Sequence, residues 1–201
     1  MKKRVAVATV AVIGIVAAGW YLLKVQPAAT PPQTTATEQQ TVRLDPNEHD
    51  FFDVDFAQKL IVHHQQGIEI TDALLGHSSN QRLRDIASGM RQSQVDAEAQ
   101  YKTWLEEWNE EYTNLSDFPQ MDGHDMYPSY PGLVSAADLS SIKNKRGDEL
   151  DQMFVVLMTE HHEEALTMRD MGNWLQYGKL IDFKDKVFSE YETELQEMEK
   201  G

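Results

Sequence analysis

The stretch that decides the fold is DVDFAQKLIVHHQQG, Asp53–Gly67, because it returns 98 residues later as DQMFVVLMTEHHEEA, Asp151–Ala165. In both copies an aspartate, a phenylalanine, a long apolar residue (Leu60, Met158), a His-His pair and a small residue fall at the same spacings. Four of the chain's seven histidines, His63, His64, His161 and His162, sit in these two places. Neutral imidazole is a good nitrogen donor, so a doubled pair in a doubled frame points to a symmetric imidazole-lined site and to a metal ion as its ligand.

Outward from the motif the apolar pattern is helical. Phe56, Leu60, His63, Gly67, Ile70 and Leu74 follow one another in steps of three and four, which is one stripe of a helix. Gly76 to Asn80 breaks it, with Ser79 or Asn80 as the next cap. A second stripe runs through Leu83, Ile86, Met90, Gln94, Ala97, Tyr101, Trp104 and Trp108. Periodicity fades from Asn109 to Pro119, and the prolines and glycines between Met121 and Gly132 predict a loop. Ser135 to Leu139 reads as a short serine-capped turn of helix. A third long helix, starting near Gly147 or Asp148, carries Leu150 or Asp151, Phe154, Met158, His161, Ala165 and Met168, with a break between Asn173 and Gly178. The last helix uses Leu180, Phe183, Val187, Tyr191, Glu194 and Met198. The expected fold is all-α: a four-helix bundle made of two repeated helix hairpins over residues 48–201.

The N-terminus predicts a different environment. After Lys2, Lys3 and Arg4 comes an uncharged, mainly apolar run from Val5 to Leu23, which at about 1.5 Å per residue spans roughly 28 Å, close to a bilayer core. Residues 1–24 are therefore expected to form a signal anchor, a single-pass transmembrane helix of the bacterial cell membrane. The basic cluster stays inside and the C-terminal domain is extracytoplasmic. Residues 25–47, rich in Pro, Thr, Gln and Ala, read as a flexible linker that would hold the domain roughly 25–30 Å from the membrane. With no cysteine, disulfides, thiolate metal sites and lipid acylation at the N-terminus are excluded. Beyond residue 24 the chain holds 14 basic against 33 acidic side chains, a formal charge of −19. Such a surface repels nucleic acid and draws in cations.

Consecutive helical residues point about 100° apart, so His63 and His161 are expected to face the core, with His64 and His162 at its flank. One ion would then need imidazoles from two helices. Met158 and Met168 flank His161 on its stripe, and a His/Met set favours copper over magnesium or calcium. Further candidate ligands are Glu164, one turn beyond His161, the stripe residues Glu194 and Met198, and the loop pair His124 and Met126. Gln94 and Glu194 interrupt apolar faces and need a histidine, a cation or water to satisfy them. No His-Glu-x-x-His and no Glu-x-x-His occurs, which argues against a zinc protease and against a carboxylate-bridged di-iron oxidase.

These residues resemble the bacterial family called domain of unknown function 305, grouped with ferritin-like bundles. Its doubled pattern is matched by Asp53, Phe56, Leu60, His63, His64, Gln66, Gly67 and Ile70, and again by Asp151, Phe154, Met158, His161, His162, Glu164, Ala165 and Met168. The resemblance extends over roughly residues 50–201 through Gln94, Trp104, Leu105, Glu194, Leu195 and Met198, and through Pro131-Gly132-Leu133 and the segment after it. It implies a ferritin-like bundle, usually exported, and some relatives bind copper. Leu60, Ile70, Leu133 and Tyr101 stand where the family tends to have methionine, and Ala97 where it has glutamate, so the resemblance leaves copper(II) or zinc better supported than copper(I).

The expectation is a membrane-anchored extracytoplasmic protein without turnover that binds copper, with zinc as the alternative ion, for buffering, delivery or resistance. Its partners would be the metal ion and, through the N-terminal helix, the membrane, with a homo-oligomer left open. An interaction module with structural histidines is the alternative, and a ferritin-like redox enzyme a third reading.

Overall fold

Asp50 and Asp53 start the domain by capping each other. The Asp50 carboxylate accepts from the backbone N–H of Phe52 (2.8 Å) and Asp53 (3.2 Å), and the Asp53 carboxylate accepts from that of Asp50 (2.9 Å). This box opens α1, Phe51–His77, in the computed structural model, which describes Asp45, residues 47–117 and residues 130–200. Asn80 accepts from Leu83 N–H (3.3 Å) and caps α2, Gln81–Glu107. Ser135 does the same through Asp138 N–H (3.1 Å) for the short α3, Ala136–Asn144. The last two helices are α4, Gly147–Leu166, and α5, Gly178–Glu199. No strand occurs among the described residues.

One expectation about the third long helix is corrected. The α-helix ends at Leu166 and the chain continues as a tighter 3-10 helix, Thr167–Trp174, so Met168 is not on the α-helical stripe. The Thr167 hydroxyl donates to the Glu164 carbonyl (2.6 Å), competing for an acceptor near the helix end.

The four long helices close a ring: α1 packs on α2 and α4, and α5 packs on α4 and α2. The two repeat aspartates fasten the hairpins to each other reciprocally. Asp53, fully buried on α1, accepts from the backbone N–H groups of Gln176 (3.0 Å) and Tyr177 (3.1 Å) in the turn before α5. Asp151 on α4 accepts from Ser78 Oγ (2.5 Å) in the turn before α2. Each hairpin's first helix thus holds the turn of the other.

The apolar core is split in two. One cluster, including Phe56, Leu60, Tyr101, Leu105, Phe188 and Tyr191, fills one half of the bundle. Another, including Ile70, Leu74, Met90, Leu150, Phe154 and Met158, fills the other. Between the two sets along α1, α2 and α4 lie the buried polar residues His63, His64, Gln66, Gln94, His161 and His162, and Glu194 occupies that place on α5. Among the described residues no helix is long and apolar enough to cross a membrane. The expected transmembrane helix at residues 1–24 and nearly all of the expected linker lie outside the described residues.

The Asp53 clasp predicts a specific loss. Asp53→Ala removes acceptors from three backbone N–H groups and is expected to lower unfolding stability by about 2–4 kcal/mol in urea titration. Asp55→Ala, which removes a partner of Lys59 near the surface, should cost under about 1 kcal/mol.

Candidate metal centre

All four repeat histidines are buried, His63 to 1 % exposure and the other three completely. This corrects the expectation that His64 and His162 lie at a flank. Residues 100° apart on one helix can both be interior when neighbouring helices and a covering segment enclose that level of the bundle. Here the covering segment is the connection between the hairpins. Gln66 holds it by donating to the Val134 carbonyl (2.9 Å) and accepting from Val134 N–H (2.7 Å). Gly132, at φ 86°, closes onto the histidines. A Cβ there would stand 2.5 Å from the His161 carbonyl oxygen and 2.9 Å from His63 Nε2. Only glycine fits on both counts.

Within the layer His63 and His161 stack face to face, with centroids 3.7 Å apart and planes 12° from parallel. His162 stacks on Tyr191 (4.4 Å, 12°), and His64 lies nearly parallel to Tyr101 (5.7 Å, 16°). Burial first, and neighbouring imidazoles second, hold His63 and His162 well below the usual histidine range and His64 at about 3. Burial also brings His161 down to about 4. All four are therefore neutral at neutral pH, each with one N–H and one lone pair.

That neutrality fixes the tautomers. Carbonyl oxygens only accept, so His63 Nε2 donates to the His161 carbonyl (3.2 Å) and His161 Nδ1 donates to the Gly132 carbonyl (2.5 Å). His63 Nδ1 must then accept, and its neighbour is the Tyr191 hydroxyl (3.4 Å). With that proton committed, Tyr191 accepts from His64 Nε2 (2.7 Å). The chain His64 to Tyr191 to His63 to the His161 carbonyl is satisfied throughout. Two bare lone pairs remain, His64 Nδ1 and His161 Nε2, and both atoms are buried without a hydrogen-bond partner among the described residues.

His162 forms a separate branch. The Gln94 amide donates to His162 Nε2 (3.4 Å), which puts the proton on Nδ1, 3.6 Å from Glu194 Oε2. Burial pushes the Glu194 carboxyl up to about 7, against the Ser93 hydroxyl that donates to it (3.1 Å). His162 thus meets the Gln94 amide, while Gln94 Oε1, His162 Nδ1 and Glu194 Oε2 are buried without a hydrogen-bond partner among the described residues. A Cβ at Gly67 would collide with the Gln94 amide, so this small position of the repeat leaves room for that side chain.

The remaining candidates are dispersed. Met158 and Met168 are both fully buried but belong to opposite apolar clusters, and Met198 packs with Met158. Glu164 is exposed. His124 and Met126 lie outside the described residues. Among the described residues no three His, Asp or Glu side chains converge as they would around a metal ion. The histidine donors are gathered in one layer, but no three of them surround a common point. Sequence reasoning missed Tyr191, Tyr101, Gln66 and Gly132 as parts of the site. The available signals were tyrosines on core-facing stripes and a Pro-Gly step in the connecting loop.

Fold and site together define a helical protein of two hairpins whose core is divided by a layer of neutral imidazoles. The chain belongs to the family described as Domain of unknown function (DUF305), whose pattern matches residues 53–201. Solved structures with this fold include a DUF305 protein from Streptomyces coelicolor, with 22 % identity and TM-score 0.63 over 73 % of this chain and 88 % of that one. A DUF305 fragment from Deinococcus radiodurans shares 19 % identity at TM-score 0.63, over 76 % of this chain and 95 % of that one. CopM in its Cu(II)-bound form shares 19 % identity at TM-score 0.60, over 74 % of this chain and 93 % of that one. No curated protein matches the chain.

Buried neutral histidines make stability fall in acid. Unfolded, all four titrate near 6.5; folded, they titrate lower, at about 3 for His64 and about 4 for His161. Between these limits the unfolded chain binds more protons, so stability drops as pH falls below 6.5. Glu194, raised from 4.5 to about 7, works the other way but carries only one proton. The unfolding free energy of metal-free protein, from urea titration, should therefore fall between pH 6.5 and 4.5 by more than the ~1.4 kcal/mol per pH unit that one proton gives. A flat profile there would contradict neutral burial.

Proposed function

We propose that the protein binds a transition-metal ion as cargo, copper(II) or zinc, and serves in metal buffering, delivery or resistance rather than in turnover. One observation carries the reading: two buried imidazole lone pairs, His64 Nδ1 and His161 Nε2, have no hydrogen-bond partner among the described residues, and the nearby His162 Nδ1 and Glu194 Oε2 have none either. Leaving a buried polar atom unsatisfied costs on the order of 1–3 kcal/mol, and a bound cation would offset that cost. Imidazole nitrogen suits copper(II) and zinc. The thioethers of Met158 and Met168, which would favour copper(I), are packed in the two apolar halves. Family membership is consistent with this reading, and so is the likeness to CopM, a protein whose Cu(II)-bound form has this fold. Further ligands would come from the same layer, with His63, His162 and Glu194 the candidates, and Glu194 Oε2 is without a hydrogen-bond partner among the described residues.

In the same reading the four long helices are a ferritin-like bundle, and the apolar run from Val5 to Leu23 anchors it on the outer side of a bacterial membrane. A second reading, an interaction module at the membrane surface, is favoured by three exposed aromatic side chains at one end of the bundle. Phe51, Phe52 and Trp174 are 74 %, 44 % and 66 % exposed, with Phe52 5.7 Å from each of the other two rings. On that reading the histidines would only support the fold.

The two readings separate in a chelator competition titration. Metal-free protein should bind Cu(II) or Zn(II), and the His64→Ala/His161→Ala variant should lose at least tenfold in affinity, ~1.4 kcal/mol or more. His77→Ala, a change at an exposed histidine, should bind as the unaltered protein does. Saturating metal should also raise the melting temperature of the unaltered protein and not of the double variant. Equal affinity in both would sink the metal reading.

A further inference from the structure

Beside the histidine layer lies a surface cleft of about 370 Å³, lined by Tyr130, Gly132, Glu160, His161, Glu164 and Thr167 among others. Of the four layer imidazoles only His161 lines it. Its Nδ1–H is committed to the Gly132 carbonyl at 2.5 Å, so the atom left over is Nε2, buried and unpartnered. The opposite wall is backbone at Gly132, where a Cβ would run into His161 and His63. His63, the other ring of the stacked pair, does not line the cleft, so the cleft meets the layer at His161.

Its rim is anionic. Glu160 and Glu164 are exposed and stand one helical turn apart on either side of His161. Like charges at this spacing repel, and neither has a basic partner among the described residues. Two carboxylates unneutralised at the mouth of a cleft raise the local concentration of cations.

We propose that this cleft is the port through which a divalent cation reaches the layer. Glu160 and Glu164 attract the hydrated ion, and His161 Nε2 is the first protein nitrogen it meets. The inference rests on the metal-binding reading above and adds to it a route and two residues outside the layer. It also gives the cargo a charge preference, because a dianionic mouth selects a divalent ion over a monovalent one.

Stopped-flow uptake of Cu(II) by metal-free protein tests the port. At low salt the Glu160→Gln/Glu164→Gln variant should bind about tenfold more slowly than the unaltered protein, with a flatter dependence of rate on ionic strength. Its stoichiometry at equilibrium should be unchanged. Glu163→Gln/Asp170→Asn, the same loss of charge at exposed positions that do not line the cleft, should keep the original rate. Equal rates in the port variant and the unaltered protein, or equal slowing in both variants, would overturn the port while leaving the metal reading intact. No uptake by the unaltered protein would overturn both.

Discussion

Four imidazoles buried in a helical core need partners, and most of this structure follows from how the fold supplies them. An apolar bundle interior offers nothing to an N–H or a lone pair, so the layer has to carry its own polar groups. Tyr191, Gln94 and the carbonyls of His161 and Gly132 are those groups. Each comes from a different part of the chain: α5, α2, α4 and the connection between hairpins. The layer therefore specifies the register of three helices and one loop at once. A slide of any of them by one residue would unpair several buried groups together, whereas an apolar layer would only repack.

The two apolar clusters on either side keep that layer dry, and the reciprocal aspartate clasps keep the hairpins from separating. Asp53 and Asp151 occupy equivalent places in the repeat, and each binds the turn of the other hairpin. This explains why the aspartate belongs to the repeated motif although it is remote from the histidines. It locks the geometry in which the histidines meet. The arrangement also explains why methionine ligands are not at hand: Met158 and Met168 sit within one or two turns of His161 in sequence, but in opposite directions, and so fall into opposite clusters.

Much of this was legible in the sequence. Steps of three and four gave the long helices, and Asn80 and Ser135 marked the starts of α2 and the short α3, because periodicity and capping are local. The grouping of His63, His64, His161 and His162 followed from the repeat itself. What a single helix could not reveal was how far the burial extends. From α1 alone His64 lies beside the stripe; only Tyr101 and Tyr191, on other helices, enclose it. The α-helix stops at Leu166 although the apolar spacing runs on to Met168, because a 3-10 segment can continue to bury the same residues and spacing does not separate the two coils. The roles of Gln66 and Gly132 depend on where a loop of irregular backbone settles, which no periodicity describes.

The repeat is most informative where its copies differ. Gln66 and Glu164 occupy the same frame position, two residues after the second histidine of each pair. The amide can donate and accept together, and it does both with Val134, pinning the connection over the layer. A carboxylate in that place could not donate and would be left charged in a buried site. Glu164, by contrast, faces solvent at the rim of the cleft, where charge is tolerated. Val134 of the connecting segment bonds to Gln66, and Tyr130 to Val134 line the cleft together with Glu164. The same frame position therefore carries a buried, hydrogen-bonded amide in one repeat and an exposed carboxylate beside the cleft in the other, and the near-symmetric bundle has two unlike sides.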